Sequence, residues 1–245
     1  MKSAVTGSDV AIRPVTARSA LVRILIAADS PTMTSREICA ATTAIGYPES
    51  TIRVAVSRMV AAGDLLRERR AYTLDPALRA RRSELAAPRT RPWTGDWDQV
   101  VVTAGGRPAA ERAALRTTLL SLRLAELREG VWMRPANLER AWPTTFDDAL
   151  LRLRTHAVDD PVALARRLWS LDEWAARATG LLAAIETPDP TAEFTAVCAG
   201  LDHLTTDPAL PAELLPADWP AGRLRARTAD YLAWFRTLAP ADADR

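Results

Sequence analysis

The sequence of 245 residues contains few of the residue types that hold metals or form disulfides. It has two cysteines, Cys39 and Cys198, and two histidines, His156 and His203, with no CxxC or other close-spaced pattern. A protein metal site normally needs such a pattern, so we expect no metal site and no bound cofactor. A disulfide between the distant cysteines stays open, but two reduced thiols buried like small apolar residues are favoured. The histidines are expected at the surface or hydrogen-bonded, without a catalytic role.

Long hydrophobic runs are also missing. No apolar segment approaches the roughly 20 residues that cross a bilayer. Residues 1–20 lack the apolar stretch of a secretory signal. The composition, with 48% hydrophobic and 25% charged residues, is usual for a globular protein. We therefore expect a cytoplasmic protein with no membrane partner.

Lysine is nearly absent, because Lys2 is the only one, so almost all the positive charge comes from arginine. The net charge of the whole chain is +2, but residues 1–91 hold 15 Lys+Arg and 8 Asp+Glu. This basic first third indicates either a domain that binds a polyanion or a solvated basic face without a partner. Charge alone favours neither alternative.

The first third of the chain has the pattern of a small helical domain. Residues 1–16 are expected to be a flexible lead-in. The next segment predicts a helix with an apolar stripe at Leu21, Ile24, Leu25 and Ala28, which DSPTM (residues 29–33) ends. A second helix is predicted from Thr34, because Thr34 and Glu37 have the spacing of a capping box.

A third helix is predicted over residues 50–62, with Ser50 as N-cap and Gly63 as stop. Its buried stripe is expected at Ile52, Val56, Met59 and Val60. Two short strands follow, Leu65–Glu68 and Tyr72–Leu74, with arginines at their tip, and Pro76 opens a short basic helix. Two helices, a tight turn, a third helix and a hairpin make a winged helix-turn-helix, predicted over residues 17–88.

In that fold the third helix enters the major groove of double-stranded DNA, and arginines of the wing contact phosphate or the minor groove. The residues whose chemistry suits DNA contact are Ser50, Thr51, Arg53, Ser57, Arg58, Arg69 and Arg70. Each has a simpler alternative, since Arg58 can cap the end of its helix and the tip arginines can belong to a solvated turn. Winged helices also serve as protein-interaction modules, so that function stays open as well.

Four segments in this order resemble the PaaX-like family, the repressors of phenylacetic acid degradation. They are STIRVAVSRMVAAGDLLRERRAYTL (residues 50–74), RPWTGDWDQVVV (91–102), REGVWMRPANL (128–138) and DPALPAELLPADWP (207–220). A weaker match is RRLWSLDEWAARATGLL (166–182). The proline-rich string and its pairing with GVW upstream are the specific signals. The resemblance covers residues 18 to about 235.

The resemblance implies an α+β, mostly helical protein in three parts. After the winged helix come a ferredoxin-like domain similar to the Cas2 nuclease, at residues 89–160, and a helical dimerisation or effector domain at 161–245. It also implies a homodimer that binds operator DNA and is released by a small effector, an aryl-CoA thioester. The sequence departs from the family before GVW and before DPALP, and no residues of the effector site are predicted.

The later segments have patterns of their own. Strands are predicted at residues 97–103, 130–134 and 151–158, and a helix over 108–127 lies between the first two. Gly105 and Gly106 follow the first strand. Further helices are predicted over 163–186, 194–206 and 224–238. All eight tryptophans lie beyond the winged helix, and core packing is favoured over a ring stack around an aromatic acyl group.

A Cas2-like domain raises the alternative of a metal-dependent nuclease. Such an enzyme needs a carboxylate at the end of the first strand, but this strand ends in Thr103 and Ala104, and Asp98 lies at its start. No nucleophile–base spacing is recognisable either. We therefore expect a transcription regulator and not an enzyme.

Overall fold

The computed structural model of the chain describes residues 11–28, 30, 32–80, 87–103, 106, 108–144 and 147–238. Contacts between residues group the chain into two compact units. The first comprises Met1–Ala86, Ala175–Thr205 and Pro220–Arg245, and the second comprises Ala87–Trp174 and Thr206–Trp219. Residues of the predicted helical domain 161–245 fall in both units. The predicted boundaries at residues 16, 88 and 160 stay a prediction.

The first unit begins with helices and three short strands. In chain order they are α1 (Ala17–Ala27), β1 (Thr32–Thr34), α2 (Ser35–Ala44), α3 (Glu49–Ala61), β2 (Leu65–Glu68), β3 (Ala71–Leu74) and α4 (Pro76–Ala80). The strands form an antiparallel sheet in the order β1-β3-β2, so the predicted hairpin is confirmed. β1 was not predicted: DSPTM was expected only to end the first helix, but its last two residues, Thr32 and Met33, pair with β3. The basic helix from Pro76 is described as far as Ala80, and residues 81–86 lie outside the described residues.

The predicted features of α1 and α2 are confirmed except at Ala28, which is half-buried and lies in the extended C-cap position after α1 ends. Leu21, Ile24 and Leu25 are at most 2% exposed. In the capping box of α2, the Thr34 hydroxyl accepts from the Glu37 N–H at 3.2 Å, and the Glu37 carboxylate accepts from the Thr34 N–H at 2.6 Å. These two bonds satisfy N–H groups that the first helical turn leaves without partners.

Helix α3 corrects two predictions. Ser50 is not the N-cap, because the helix begins at Glu49 and Pro48 occupies the cap position without a side-chain hydrogen bond. Proline can start a helix because its φ is already helical and it has no N–H to satisfy. The buried stripe is narrower than predicted: Ile52 and Met59 are 1% exposed. Val56 and Val60 are only half-buried.

The helix predicted over residues 163–186 is wrong as a single element. α6 (Pro161–Leu168) ends at Trp169, which is extended at φ −132° and ψ 139°, and α7 (Leu171–Ile185) follows. The break has a packing reason, since the partly buried Trp169 packs against a core cluster of the second unit. Two further helices, α8 (Pro190–Thr205) and α9 (Ala221–Thr237), confirm the predicted C-terminal pair.

The second unit contains a four-stranded antiparallel sheet in the order β5-β6-β4-β7. Its elements in chain order are β4 (Asp96–Val102), α5 (Ala109–Ser121), β5 (Ala125–Arg128), β6 (Val131–Pro135) and β7 (Leu150–His156), with α6 after them. α5 connects β4 to β5, and β6 lies between these two strands, which is the split βαβ arrangement. The predicted end of this helix at residue 127 is wrong. α5 ends at Ser121, because Arg123 adopts a left-handed φ of 58°. Of the predicted glycine pair, Gly105 lies outside the described residues.

Side chains cover both faces of this sheet. Val100 and Trp132 pack on one face in the cluster with Leu115, Leu119 and Leu124. The other face holds a second cluster, formed by Trp97, Met133, Ala165, Leu171, Leu210 and Leu214. Trp97 is fully buried and Trp132 is 3% exposed, so these two tryptophans serve as core residues.

The structure also tests the predictions of reduced cysteines and of no membrane-spanning segment. Both cysteines are free thiols, and Cys198 is buried whereas Cys39 is half-buried. This excludes the disulfide between them. Across the described ranges, no helix is long and apolar enough to cross a membrane.

Candidate nucleic-acid interface

The turn before α3 fixes where that helix begins. Gly46 has a φ of +83°, and a Cβ at this position would lie 2.2 Å from the Thr191 hydroxyl oxygen. The same hydroxyl donates to the carbonyl of Ile45 at 3.1 Å. The Tyr47 hydroxyl donates to the carbonyl of Val15 at 2.6 Å. Contacts with α8 and with the residues before α1 therefore hold the turn.

The solvent side of α3 carries all the predicted contact residues of this helix. Their side chains are exposed at Ser50, Thr51, Arg53, Ser57 and Arg58. The Arg53 side chain is 74% exposed and forms an ion pair with Glu49, one turn earlier. Hydrogen bonds to Glu49 are the main reason that the pKa of Arg53 lies above its ordinary value. The guanidinium is therefore a permanent cation that must leave Glu49 before it can bind another anion.

The predicted residues of α3 do not form one row. With about 100° between successive residues, Arg53 and Arg58 point about 140° apart around the helix. Arg53 and Ser57 line a surface groove with α2 and the hairpin, whereas Arg58 lines a different groove beside α1. Val54 lies between these edges and is 51% exposed. Val54 was not predicted as a contact residue, although an apolar residue outside the buried stripe is a visible signal in the sequence.

The hairpin carries three exposed arginines, of which two were predicted at its tip. Arg69 and Arg70 are exposed, and Arg69 makes the tight turn with a φ of 53°. Arg67, which was not predicted, lies on β2 with its guanidinium carbon 5.9 Å from the centre of the Tyr72 ring. This stacking directs a third cation along the hairpin surface.

The groove between α2, α3 and the hairpin has a volume of about 640 Å³. It is lined by three arginines, Arg36, Arg53 and Arg67, and by one carboxylate, Glu49. Arg36 is exposed in the first turn of α2 and was also missed. An excess of guanidinium groups along a groove of this size is suited to an anionic polymer backbone.

Asp98 on β4 is the carboxylate that the sequence places nearest to the metal-binding position of a nuclease. Asp98 is 8% exposed and lies 3.1 Å from Arg154 and 3.5 Å from Arg140. Burial lowers the pKa of Arg140 to about 10. In the described part of the chain, no group of three or more His, Cys, Asp or Glu is arranged to hold a metal ion. Asp98 is thus engaged with two cations.

A buried arginine joins two of the motifs singled out in the sequence. Arg134, in GVWMRP, is fully buried and donates to the carbonyls of Pro208 and Ala209 in DPALP, at 3.3 and 3.2 Å. It also donates to the side-chain oxygen of Asn137 at 2.8 Å. Burial lowers the pKa of Arg134 to about 9. The sequence pairing of the two motifs therefore has a physical basis, although the arginine itself was not predicted.

The chain thus combines a split βαβ sheet in its second unit with helices and a hairpin in its first. The family model described as PaaX-like protein matches residues 16–76, and the one described as PaaX protein central Cas2-like domain matches residues 90–159. The chain belongs to the PaaX-like family. It is similar, with 40% identity and a TM-score of 0.81, to the solved structure of an uncharacterized protein, Rv0674 from Mycobacterium tuberculosis. The match covers 92% of this chain and 97% of that one. A comparison with curated proteins gives no match.

Proposed function

We propose that this chain is a DNA-binding transcriptional regulator, and specifically a repressor, with a winged helix-turn-helix in its first unit. α1, α2 and α3 are the three helices, and the β2–β3 hairpin is the wing. The observation that carries the proposal is the orientation of α3. Ile52 and Met59 anchor it to the core, while Arg53, Ser57 and Arg58 face solvent.

The exposed groups divide by the part of DNA that each can contact. A guanidinium such as that of Arg53 can bind the guanine edge in the major groove with two hydrogen bonds. Serine and threonine hydroxyls on the same helix can bond to phosphates or bases. Arg69 and Arg70 supply attraction to phosphate that does not depend on sequence. The family of the chain, known for transcriptional regulators, supports the same function.

A binding assay on the DNA upstream of the chain's own gene tests the proposal. We expect Arg53→Ala and Arg58→Ala each to weaken binding about tenfold or more, since each removes a charged contact. Arg177→Ala is the matched control, because Arg177 is exposed on α7. Binding that stays unchanged in both α3 variants would remove these residues from the interface.

We also propose that the repressor is a homodimer, so that two copies of α3 meet DNA about one helical turn apart. β7 supports this, because it is an edge strand that pairs only with β4 among the described strands. Leu151 and Leu153 on it are 48% and 41% exposed. Leu153→Asp is expected to yield monomers by light scattering, while Leu120→Asp, at another exposed leucine, should not. A dimeric Leu153→Asp variant would place the interface elsewhere.

The effector of the proposed repressor is a small molecule, for which the family resemblance suggests an aryl-CoA thioester. A ligand releases DNA only if it binds the free conformation more tightly than the DNA-bound one. Phenylacetyl-CoA added to the protein–DNA complex is expected to dissociate it, with free coenzyme A as the control. Equal effects of the two compounds would exclude the aryl group as the recognised part.

We propose further that the Cas2-like unit has no nuclease activity. Two arginines already neutralise Asp98, so this carboxylate cannot serve a metal as a free ligand. Incubation with RNA and DNA in the presence of Mg²⁺ or Mn²⁺ tests this. Cleavage that is lost in Asp98→Asn would overturn the proposal.

A further inference from the structure

A cavity of about 720 Å³ lies within the first unit, between the helices next to the proposed DNA-binding surface and the C-terminal pair. Its walls come from α1, α4, α8 and α9. Wall residues Val197, Cys198 and Phe235 are at most 3% exposed, so the cavity reaches into the core of the unit. Its volume is in the range of small-molecule sites in proteins, which is roughly 300–1,000 Å³.

The lining of the cavity is aromatic in one part and cationic in another. Phe194, Tyr231 and Phe235 supply the rings. The charged residues that line it are three arginines and one aspartate, namely Arg18, Arg23, Arg236 and Asp202. Arg23 and Asp202 form an ion pair at 2.6 Å, and Arg18 forms one at 2.8 Å with Asp64, so three guanidinium groups face two carboxylates. Rings beside an excess of guanidinium groups suit a ligand with a flat apolar body and an anionic group.

The polar groups deeper in the wall are uncharged. Burial raises the pKa of the Cys198 thiol to about 12. Burial also raises the pKa of the Tyr231 hydroxyl. At neutral pH neither group therefore adds a negative charge that would repel an anionic ligand.

We propose that this cavity is the effector site and that it takes an organic anion with an aromatic body. This inference rests on the proposed function and adds the place of the site and its route to α3. Phe194 is the connecting residue, since it lines the cavity and its ring packs edge-on against Tyr47, with ring centres 6.4 Å apart. Tyr47 immediately precedes Pro48, the N-cap of α3. A ligand that moves the Phe194 ring thus changes the support of the turn from which α3 starts.

The site is tested with 8-anilinonaphthalene-1-sulfonate, an aromatic anion whose fluorescence rises in apolar surroundings. The full chain is expected to bind it saturably at one site per chain. Leu201→Trp places a larger side chain into the cavity and should weaken binding at least tenfold. Leu120→Trp, the same substitution at an exposed leucine of the other unit, should bind like the unmodified chain.

A folded Leu201→Trp variant that binds the probe as well as Leu120→Trp would overturn the site, as would the lack of saturable binding to the unmodified chain. Thermal unfolding of each variant shows whether it is folded. If Leu201→Trp does not fold, Arg23→Gln is the second test. It removes a cation from the lining and should weaken binding at least threefold, and unchanged binding would count equally against the site.

The route to α3 is tested by DNA binding in the presence of the probe. Saturating probe is expected to weaken DNA binding by the unmodified chain at least fivefold. Tyr47→Leu should bind the probe, because Tyr47 does not line the cavity, but should lose this effect, because the edge-on ring contact with Phe194 is gone. An effect that persists in Tyr47→Leu would overturn the route. Probe binding without any DNA binding would refute the proposed function and leave the site standing, whereas DNA binding without a cavity ligand would do the reverse.

Discussion

One carboxylate oxygen of Glu49 accepts hydrogen bonds from both the Nε and the Nη2 of Arg53, at 2.9 and 2.5 Å. The pair lies on the solvent side of α3, with Glu49 in the first helical turn. The cation proposed to contact DNA is therefore held by an anion in the free protein. The Glu49 carboxylate would also repel nearby phosphates.

Glu49→Gln is expected to raise the affinity for DNA about three- to tenfold, because it removes one negative charge from the interface and frees Arg53. Affinity is measured by fluorescence anisotropy with a labelled duplex. Glu173→Gln, at an exposed position of α7, is the control for the change in net charge. Weaker binding by Glu49→Gln would show that Glu49 positions Arg53 instead of competing for it.

Gly46→Ala is expected to reduce the free energy of unfolding by about 2 kcal/mol or more, through a left-handed φ and a clash with Thr191. Gly63→Ala separates the two causes, because Gly63 has a φ of +78° but nothing within 4 Å of the added Cβ. Urea unfolding measures both. Equal losses in the two variants would mean that the contact with Thr191 does not support the turn.

The sequence predicted most of the helix-and-hairpin unit, because each element there carries a local signal. The apolar stripe of α1 and the capping box of Thr34 and Glu37 act within one or two helical turns. β1 was missed because three residues of strand have no periodicity, and only pairing with β3 makes them a strand. The start of α3 was misplaced because Pro48 replaces a side-chain cap.

The other errors have tertiary causes. Residues 122–127 continue an apolar helical pattern, but the backbone of Arg123 ends the helix and Ala125 joins the sheet. Neither the pairing of Arg134 with Ala209 nor the cavity around Phe194 could be predicted, since both bring together residues that are distant in sequence. The exposed residues of α3 were predicted from the sequence. Their division between two grooves was not, because it depends on how α1, α2 and the hairpin pack around α3.

Arg134→Met is expected to destabilise the protein by about 3 kcal/mol, since it removes the donor to the buried Pro208 carbonyl and one of the two donors to the Ala209 carbonyl, which keeps only the Asn137 amide. Arg128→Met on β5 is the matched control, because Arg128 is exposed. Chemical unfolding followed by tryptophan fluorescence measures the difference. A stable Arg134→Met variant would show that the segment is held by its apolar contacts alone.

The buried thiol of Cys198 predicts a loss of stability in alkali. Its pKa in the folded chain, about 12, lies above its ordinary value of 9.0. Between these values the unfolded thiol loses its proton and the folded one retains it, so the stability from this group is full below pH 9 and declines above it. Cys198→Ala should show a shallower decline between pH 9 and 11 than Cys39→Ala, which keeps the buried thiol. Identical slopes would contradict the burial of Cys198.

The central claim is that α3 and the wing bind the phosphate backbone and bases of DNA, and the dependence of affinity on salt tests it most directly. The logarithm of the binding constant should fall linearly with that of the salt concentration. Each lost phosphate contact reduces the slope by about one, so Arg69→Ala combined with Arg70→Ala should reduce it by about two. A binding constant that does not change with salt, or a slope that is the same in the double variant, would contradict the claim.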